Sequence, residues 1–373
     1  MKDKYILTAE SVTAGHPDKL CDTIADNVLD ACLKEDPNAR VACEVLATAD
    51  KILVAGELHT TAHPDVETIV RQVVQRAGYD CNYHVEVRLH TQSPDIAGAV
   101  DGDTLGAGDQ GIMYGYACWE TVELLPAPVV LANRITSLLT ICREENLISG
   151  IGPDGKAQVS VQYAFGVPER VDTIVISCQH DADKDPDELR EELRRLVIAR
   201  ACHDVRIDEQ TKILINPSGR FVLGGFEADT GLTGRKLMVD SYGVFAPHGG
   251  GAFSGKDPTK VDRSGAYMAR YIAKNLVAAG LCAKCQVTLA YAIGKAEPVM
   301  VEVDTFGTGT VCADDCLAEA VKLVFGLTPA EIISQLDLLT PRYTQTAAYG
   351  HFGKPEFPWE RTNQAKILQA AVI

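Results

Sequence analysis

Three times along this chain an amphipathic helix pattern runs into a short stretch of alternating apolar and polar residues. Pro17 to Lys34 leads to Val41-Ala-Cys-Glu-Val45, Val129 to Glu145 leads to Val159-Ser-Val-Gln-Tyr163, and Ser264 to Ala279 leads to Val287-Thr-Leu-Ala-Tyr291. The three strand patterns start 118 and then 128 residues apart. In the first helix Leu20, Cys21, Ile24, Ala25, Val28, Leu29 and Cys32 fall on one stripe, and Pro17 takes the first helical position, where proline costs nothing. An apolar stripe must be covered, and a half-buried strand with period two offers the cover. The repeat therefore predicts an α+β chain of three similarly built helix-on-sheet domains, divided at 1–100, 101–223 and 224–373. A helix-first repeat with hairpins argues against a doubly wound nucleotide-binding sheet.

Other elements punctuate the repeat. Asp185-Pro-Asp-Glu opens a helix with a cap, a proline and an acidic first turn, and Leu189, Leu193, Leu196 and Val197 form its buried stripe. Thr328-Pro-Ala-Glu opens another. Lys212 to Asn216 and Arg220 to Leu223 predict paired strands about the turn Pro217-Ser-Gly. Ser93 to Gly111 is glycine-rich with little periodicity, the pattern of a lid over a site.

Composition narrows the function. The chain has 373 residues, is 46% hydrophobic, and contains no apolar run near the ~20 residues a membrane span requires. The first residues lack the apolar stretch of a signal peptide, so a cytoplasmic protein is expected. A net charge of −16 repels nucleic acid and anionic membranes. Most of the twelve cysteines fall at apolar positions and read as small hydrophobes. Cys282-Ala-Lys-Cys285 with Cys312 and Cys316 does not match paired zinc knuckles.

Against that acidic background, Gly231 to Arg263 concentrates cations. It reads Gly231-Leu-Thr-Gly-Arg235-Lys236, a short apolar strand ending at Asp240, then His248-Gly-Gly-Gly-Ala252-Phe-Ser-Gly-Lys256-Asp257-Pro-Thr-Lys260-Val-Asp262-Arg263. Glycines let backbone N–H groups approach a ligand, and clustered cations suit a polyphosphate. Carboxylates among them suit magnesium carried on that phosphate. Gly250 to Lys256 imitates a Walker A loop, but Asp257 stands where Ser or Thr would hold magnesium, and no strand precedes it. The plain alternative is a glycine-rich surface loop. A second charged cluster, Gly15-His16-Pro17-Asp18-Lys19, lies at the predicted start of the first helix, where N–H groups attract anions; the plain alternative there is an acidic first turn complementing the helix dipole.

Thr8-Ala-Glu-Ser-Val, Gly15-His-Pro-Asp-Lys19, Gly106-Ala-Gly-Asp-Gln-Gly111, Gly231-Leu-Thr-Gly-Arg-Lys236 and His248-Gly-Gly-Gly-Ala-Phe-Ser-Gly-Lys-Asp257 together resemble the S-adenosylmethionine synthetase (methionine adenosyltransferase) family. The similarity runs from Tyr5 to Ala348-Tyr-Gly-His-Phe-Gly353 and Phe357-Pro-Trp-Glu360. It implies three similar domains around a pseudo-threefold axis and the conversion of ATP, L-methionine and water to S-adenosylmethionine, phosphate and diphosphate. Mg2+ and K+ are the implied cofactors. The implied assembly is a homodimer with shared active sites, possibly a tetramer.

The resemblance also implies roles. His16 would contact the triphosphate near the C5′ oxygen, and Asp18 and Asp262 would ligate Mg2+. Lys156 would reach ATP beside Asp154, while Arg235, Lys236 and Lys256 would hold phosphates. Arg220 and Phe221 would line the nucleotide site, Ala252 would contact ATP, and Asp229 would bridge ATP and methionine. Glu57, Gln92, Lys260 and Asp109 would serve methionine, and Glu44 would ligate K+. Tyr83 to Gln92 departs from the family's usual string, which bears on methionine affinity. Rival readings are a phosphohydrolase on the same polyphosphate cluster and a nucleotide-binding regulator; the charged constellation is complete, which disfavours the latter.

Overall fold

The computed structural model describes residues 4–80, 82–91 and 105–372. The chain begins with β1 (Lys4–Val12), α1 (Pro17–Glu35), β2 (Arg40–Thr48), β3 (Lys51–His59), α2 (Val66–Ala77) and β4 (His84–His90). Next come β5 (Gly111–Cys118), α3 (Ala127–Glu144), β6 (Ile151–Ala164), β7 (Val167–His180), α4 (Pro186–Leu193) and β8 (Lys212–Ile215). The remainder holds β9 (Gly231–Leu232), α5 (Leu237–Asp240), α6 (Val261–Ala278), β10 (Lys284–Tyr291), β11 (Met300–Asp304), α7 (Asp314–Val324), α8 (Pro329–Gln335) and α9 (Ala365–Ala371).

The repeat is real: α1, α3 and α6 are its helices, and β2, β6 and β10 its strands. Each strand lies in a different sheet, ordered β4-β3-β2-β9, β1-β6-β7-β8 and β11-β10-β5. Val41, Cys43, Val45 and Ala47 of β2 are buried on one face, as period two demands, and join Leu20, Ile24, Ala25 and Val28 of α1 in the core. A second core gathers Leu131, Ile135 and Leu139 of α3 with Val159 and Val161 of β6. No helix of the described residues is long and apolar enough to cross a membrane.

The strand before each repeat helix joins another repeat's sheet. β1 pairs antiparallel with β6, from Lys4↔Ala164 to Val12↔Lys156. β5 pairs with β10, from Gly111↔Tyr291 to Cys118↔Lys284. β9 closes the ring on β2 through Leu46↔Leu232 and Ala47↔Gly231. Helix α6 presses on the lent strand β5 so closely that a Cβ at Gly115 would lie 2.0 Å from the Ala269 carbonyl. Glycine is required there by the approach of two backbones.

Two local expectations give way. Leu237 to Asp240 forms the single helical turn α5, with the Asp240 N–H donating to the Lys236 carbonyl at 2.8 Å, not a strand. Arg220 to Leu223 is also not a strand. β8 pairs parallel to β7 instead of turning back on itself, and the Asn216 side chain bonds both the N–H and carbonyl of Cys178. The 220–223 segment is then held from the end of β7, by the His180 N–H to the Phe221 carbonyl at 2.8 Å and by Gln179 Nε2 to the Val222 carbonyl at 3.1 Å. The caps form where expected: Asp185 accepts from the N–H groups of Asp187 and Glu188, and Thr328 with Glu331 makes a reciprocal capping box. Beyond α4 the helix widens into a π turn at Arg194–Ile198, which keeps Leu189, Leu193 and Val197 on one buried stripe.

Candidate active site

One face of α1 carries aspartates at every fourth position, Asp18, Asp22, Asp26 and Asp30. At four-residue spacing they line up along the helix. Each carboxylate accepts backbone N–H groups from far along the chain, between residues 232 and 344. Asp18 takes Leu232 at 3.0 Å, Asp22 takes Gly234 at 2.8 Å, Asp26 takes Gly255 at 2.9 Å, and Asp30 takes Tyr343 and Thr344 at 2.9 and 2.8 Å. The glycine-rich loops are thereby fixed to α1 by charge-assisted bonds. Three of these carboxylates have cationic partners: Lys236 on Asp18, Lys19 on Asp22 and Asp240, and Arg263 on Asp26. Burial alone would discharge Lys19, but Asp22 and Asp240 outweigh it and hold the ammonium above its usual range.

A first cluster of functional side chains forms at the start of α1. His16 is the N-cap, and its Nδ1 accepts the Asp18 N–H at 3.2 Å. Burial, with Lys236 and Lys156 nearby, drops its imidazole to about 3, so the ring is neutral. With Nδ1 accepting, the proton sits on Nε2, which is left as a donor. For Asp18 burial pushes the carboxyl up, yet the bonds from Lys236 (2.6 Å) and Leu232 hold it below the usual carboxylate range. Arg235 stands 3.7 Å from the same carboxylate. The loop bearing His16 rests on the central sheet through Thr13 Oγ1 to the Pro153 carbonyl at 2.7 Å. That contact brings in Asp154, which accepts the Gly225 N–H at 3.0 Å and whose carboxyl burial pushes up, and Lys156, whose charge is felt at both His16 and Asp154. The Asp229 charge acts on Asp154 as well.

A second cluster forms at the start of α6. Lys256 reaches the Asp262 carboxylate at 2.6 Å, and a Cβ at Gly251 would lie 2.2 Å from that carboxylate. The Lys256 backbone bridges to Ala42 of β2, which brings it to the open face of that sheet. Glu44 lies there; burial raises its carboxyl and Lys256 opposes the rise. Glu57, paired opposite Ala42, shares the face and contacts His90 at 3.3 Å. The two clusters are built alike. Asp18 and Asp262 each occupy the second position of a repeat helix, and each is bound by a lysine Nζ at 2.6 Å.

The N-terminal, central and C-terminal domains of the S-adenosylmethionine synthetase family match residues 4–102, 104–221 and 223–361. This chain belongs to the S-adenosylmethionine synthetase family. It is 50% identical, over 386 aligned positions covering 99% of each chain, to a protein of Treponema denticola named S-adenosylmethionine synthase.

The residues that the family resemblance singled out therefore fall into two groups. His16, Asp18, Asp154, Lys156, Asp229, Arg235 and Lys236 gather at the first cluster. Lys256, Asp262, Glu44 and Glu57 gather at the second. Ala252 lies in the second cluster's loop and sits 2.5 Å from where a Cβ on Gly234 would project, so it also borders the Arg235 turn. Lys260 takes the N-cap position of α6 without a side-chain cap bond, its ammonium going to buried Asp257. Arg220 and Phe221 lie at the end of the central sheet, beside His180. Asp109 is exposed and accepts the N–H of Gln110 at 2.7 Å. Gln92 and the 93–104 part of the expected lid lie outside the described residues. Ala107, beyond them, is buried and exchanges backbone bonds of 2.8 Å with Lys295 and Gly294.

Sequence reasoning gave no supporting role to Lys19, Asp240 and Arg263 and did not single out Asp22 or Asp26. The signal was present, since charged residues at a spacing of four on an otherwise apolar helix mark an ionic seam. Asp257, read first as a defective Walker position, is fully buried and accepts from the N–H of Val41 at 2.7 Å and of Thr259 at 2.9 Å. It ties the loop to β2.

Two predictions arise here. Gly251→Ala pushes the Asp262 carboxylate off its place, and misplacement at a charged site costs about 100-fold in turnover with little change in melting temperature. Steady-state rates beside a thermal melt check it. The second concerns pH. Burial drops the imidazole of His351 well below its ordinary value, with Lys19 adding to the effect. A depressed folded-state histidine stabilises the protein fully above the unfolded value near 6.5, and that stabilisation drains away as pH falls below it. Urea denaturation between about pH 7 and 5 should therefore show a steeper loss in wild type than in His351→Gln. Parallel curves would contradict the burial argument.

Proposed function

We propose that this chain transfers the adenosyl group of ATP to the sulfur of L-methionine, releasing S-adenosylmethionine, and then splits the displaced triphosphate. The family assignment supports the reaction. The observation that carries the residue-level reading is the pair of lysine-bound aspartates at equivalent helix starts, each beside a basic cluster. Such a pair suits one polyphosphate gripped from two sides.

A thioether sulfur has no proton to lose, so attack on C5′ requires alignment and charge stabilisation rather than a general base. The neutral His16 Nε2–H is a donor for the departing oxygen. Lys156, Arg235, Lys236 and Lys256 neutralise the triphosphate. Arg220, Phe221, Asp154 and Ala252 border the nucleoside, and Asp229 stands between the two substrates. Glu57, Lys260, Asp109 and Gln92 serve the methionine amino and carboxylate groups. Asp18 and Asp262 suit Mg2+ because each offers a carboxylate beside phosphate-binding cations, and magnesium takes its other ligands from phosphate and water. When bound it would offset charge on the triphosphate. Glu44, raised by burial yet facing the open side of β2, suits K+.

The two clusters lie at the starts of different helices, and among the described residues no hydrogen bond or ion pair joins His16 or Asp18 to Lys256 or Asp262. This favours a dimer in which each site takes one cluster from each subunit. Mass-spectrometric detection of S-adenosylmethionine from purified protein with ATP, L-methionine, Mg2+ and K+, with each component omitted in turn, tests the reaction. ATP loss without the sulfonium product would support a phosphohydrolase instead.

A further inference from the structure

A pocket of about 460 Å³ opens between the outer face of α3 and the segment 349–356, and none of its lining residues belongs to either cluster. Its volume is that of a small-molecule site. Leu125, Val130, Leu138, Ile141 and Phe352 supply an apolar wall. Charged side chains complete it: Arg134, Arg200 and Lys354 against Glu123 and Glu356. Arg134 is already engaged, at 3.0 Å from Glu123 and 2.9 Å from Asp204. Arg200 and Lys354 have no carboxylate within 4 Å among the described residues. Lys354 Nζ donates to the carbonyls of Gln345 and Ala348 at 2.9 and 2.7 Å, which uses two of its three N–H groups. The lining is thus cationic by one charge on a chain that carries −16 overall.

The wall formed by 349–356 is rigid by construction. Tyr349 holds a φ of 61°, unusual for a residue with a side chain, and Gly350 and Gly353 have φ of 77° and 89°. The Tyr349 hydroxyl reaches Thr140 Oγ1 on α3 at 2.6 Å, which clamps this wall to the opposite one. Strained backbone that the surroundings hold in place is characteristic of ligand sites.

We propose that this pocket binds a small amphipathic carboxylate, its apolar body against Leu138, Ile141 and Phe352 and its anionic group answering Arg200 and Lys354. Burial lowers the Lys354 ammonium to about 8; Lys19 adds to that, while Glu356 and Asp240 oppose it. Glu123 and Arg134 face the same space as a neutral pair. An arriving anion favours charged Lys354, so binding takes up a proton near pH 8 and weakens at higher pH.

Isothermal titration of the full-length protein with 4-phenylbutanoate, and with 4-phenylbutanamide as its uncharged analogue, tests the proposal. The carboxylate should bind one per chain and at least about tenfold more tightly than the amide. It should weaken about tenfold in Arg200→Gln/Lys354→Gln and fail to bind Ile141→Trp, whose indole fills the pocket. If Ile141→Trp does not fold, Ser137→Phe fills the same space from the next turn. Equal affinity for the amide would overturn the carboxylate assignment. Binding that survives the filled pocket, or no binding at millimolar ligand, would overturn the site.

Discussion

Exchanging subunits between inactive His16→Ala and inactive Lys256→Ala protein restores about a quarter of wild-type turnover, as expected for a two-fold dimer with shared sites. Random exchange makes half of the dimers mixed. In a mixed dimer one site inherits both substitutions, and the other inherits neither. The prediction rests on the absence, among the described residues, of any bond between the two groups: His16 belongs to the start of α1 and Lys256 to the loop before α6, with their contacts made to different aspartates. On the proposed function each substitution removes a group from the triphosphate's surroundings, where loss of one donor costs about 100- to 1000-fold. Complete sites within single chains would give no recovery, because every site would then keep one of the two substitutions. Absence of recovery after exchange is verified by mass spectrometry would therefore contradict the arrangement.

Arg263→Leu should cost about 3–5 kcal/mol, because it strands the buried Asp26 carboxylate without its counter-charge. Arg263 is 1% exposed and Asp26 is fully buried; two guanidinium nitrogens meet the carboxylate at 2.7 and 3.0 Å. The same side chain bonds Tyr267 Oη, Thr346 Oγ1 and the Lys256 carbonyl, and its guanidinium lies 4.2 Å over the Tyr343 ring. Removing it loosens α1 from α6 and from the glycine-rich loop at once. Against a typical total of about 5–15 kcal/mol, that loss is a large share. Chemical denaturation reads it directly. Replacing both partners, Asp26→Leu with Arg263→Met, should recover part of the loss, since no unpaired charge is left behind. A single variant as stable as wild type would remove the ionic seam from the account.

The sequence exposed what is periodic and local. Helices α1, α3 and α6 were readable from their stripes, and β2, β6 and β10 from alternation, because one face of each is buried and the other is not. Asp185 and Thr328 were readable because capping is decided within four residues. The sheets were not readable. Nothing near Lys4 to Val12 says that β1 belongs beside β6, since that choice is made by packing between distant segments. Arg220 to Leu223 had the composition of a strand, but Asn216 diverted the chain into side-chain bonds with Cys178. Asp240 looked like the end of a strand until buried Lys19 supplied its partner. At the site, the residue types came from the family resemblance. Their division into two clusters, and the aspartate seam that positions them, depended on contacts across more than 200 positions, such as Asp18 with Leu232 and Asp26 with Gly255.

The ring of lent strands matters most while the chain is being made. When β2 has left the ribosome, its outer edge has nothing to pair with until Gly231 arrives. At ~5–20 residues per second that wait lasts about 10–40 s. β1 is likewise idle until β6 has been synthesised, and β5 until β10. An unpaired strand edge invites a neighbouring chain to add to it. Nascent copies of this protein are therefore exposed to intermolecular pairing for most of their synthesis: the sheet built on β6 is complete only once β8 (Lys212–Ile215) has emerged, the one on β2 only at Gly231–Leu232, and the one on β10 only at Met300–Asp304. Chaperone demand during translation, rather than marginal stability of the finished protein, should limit its yield at high expression.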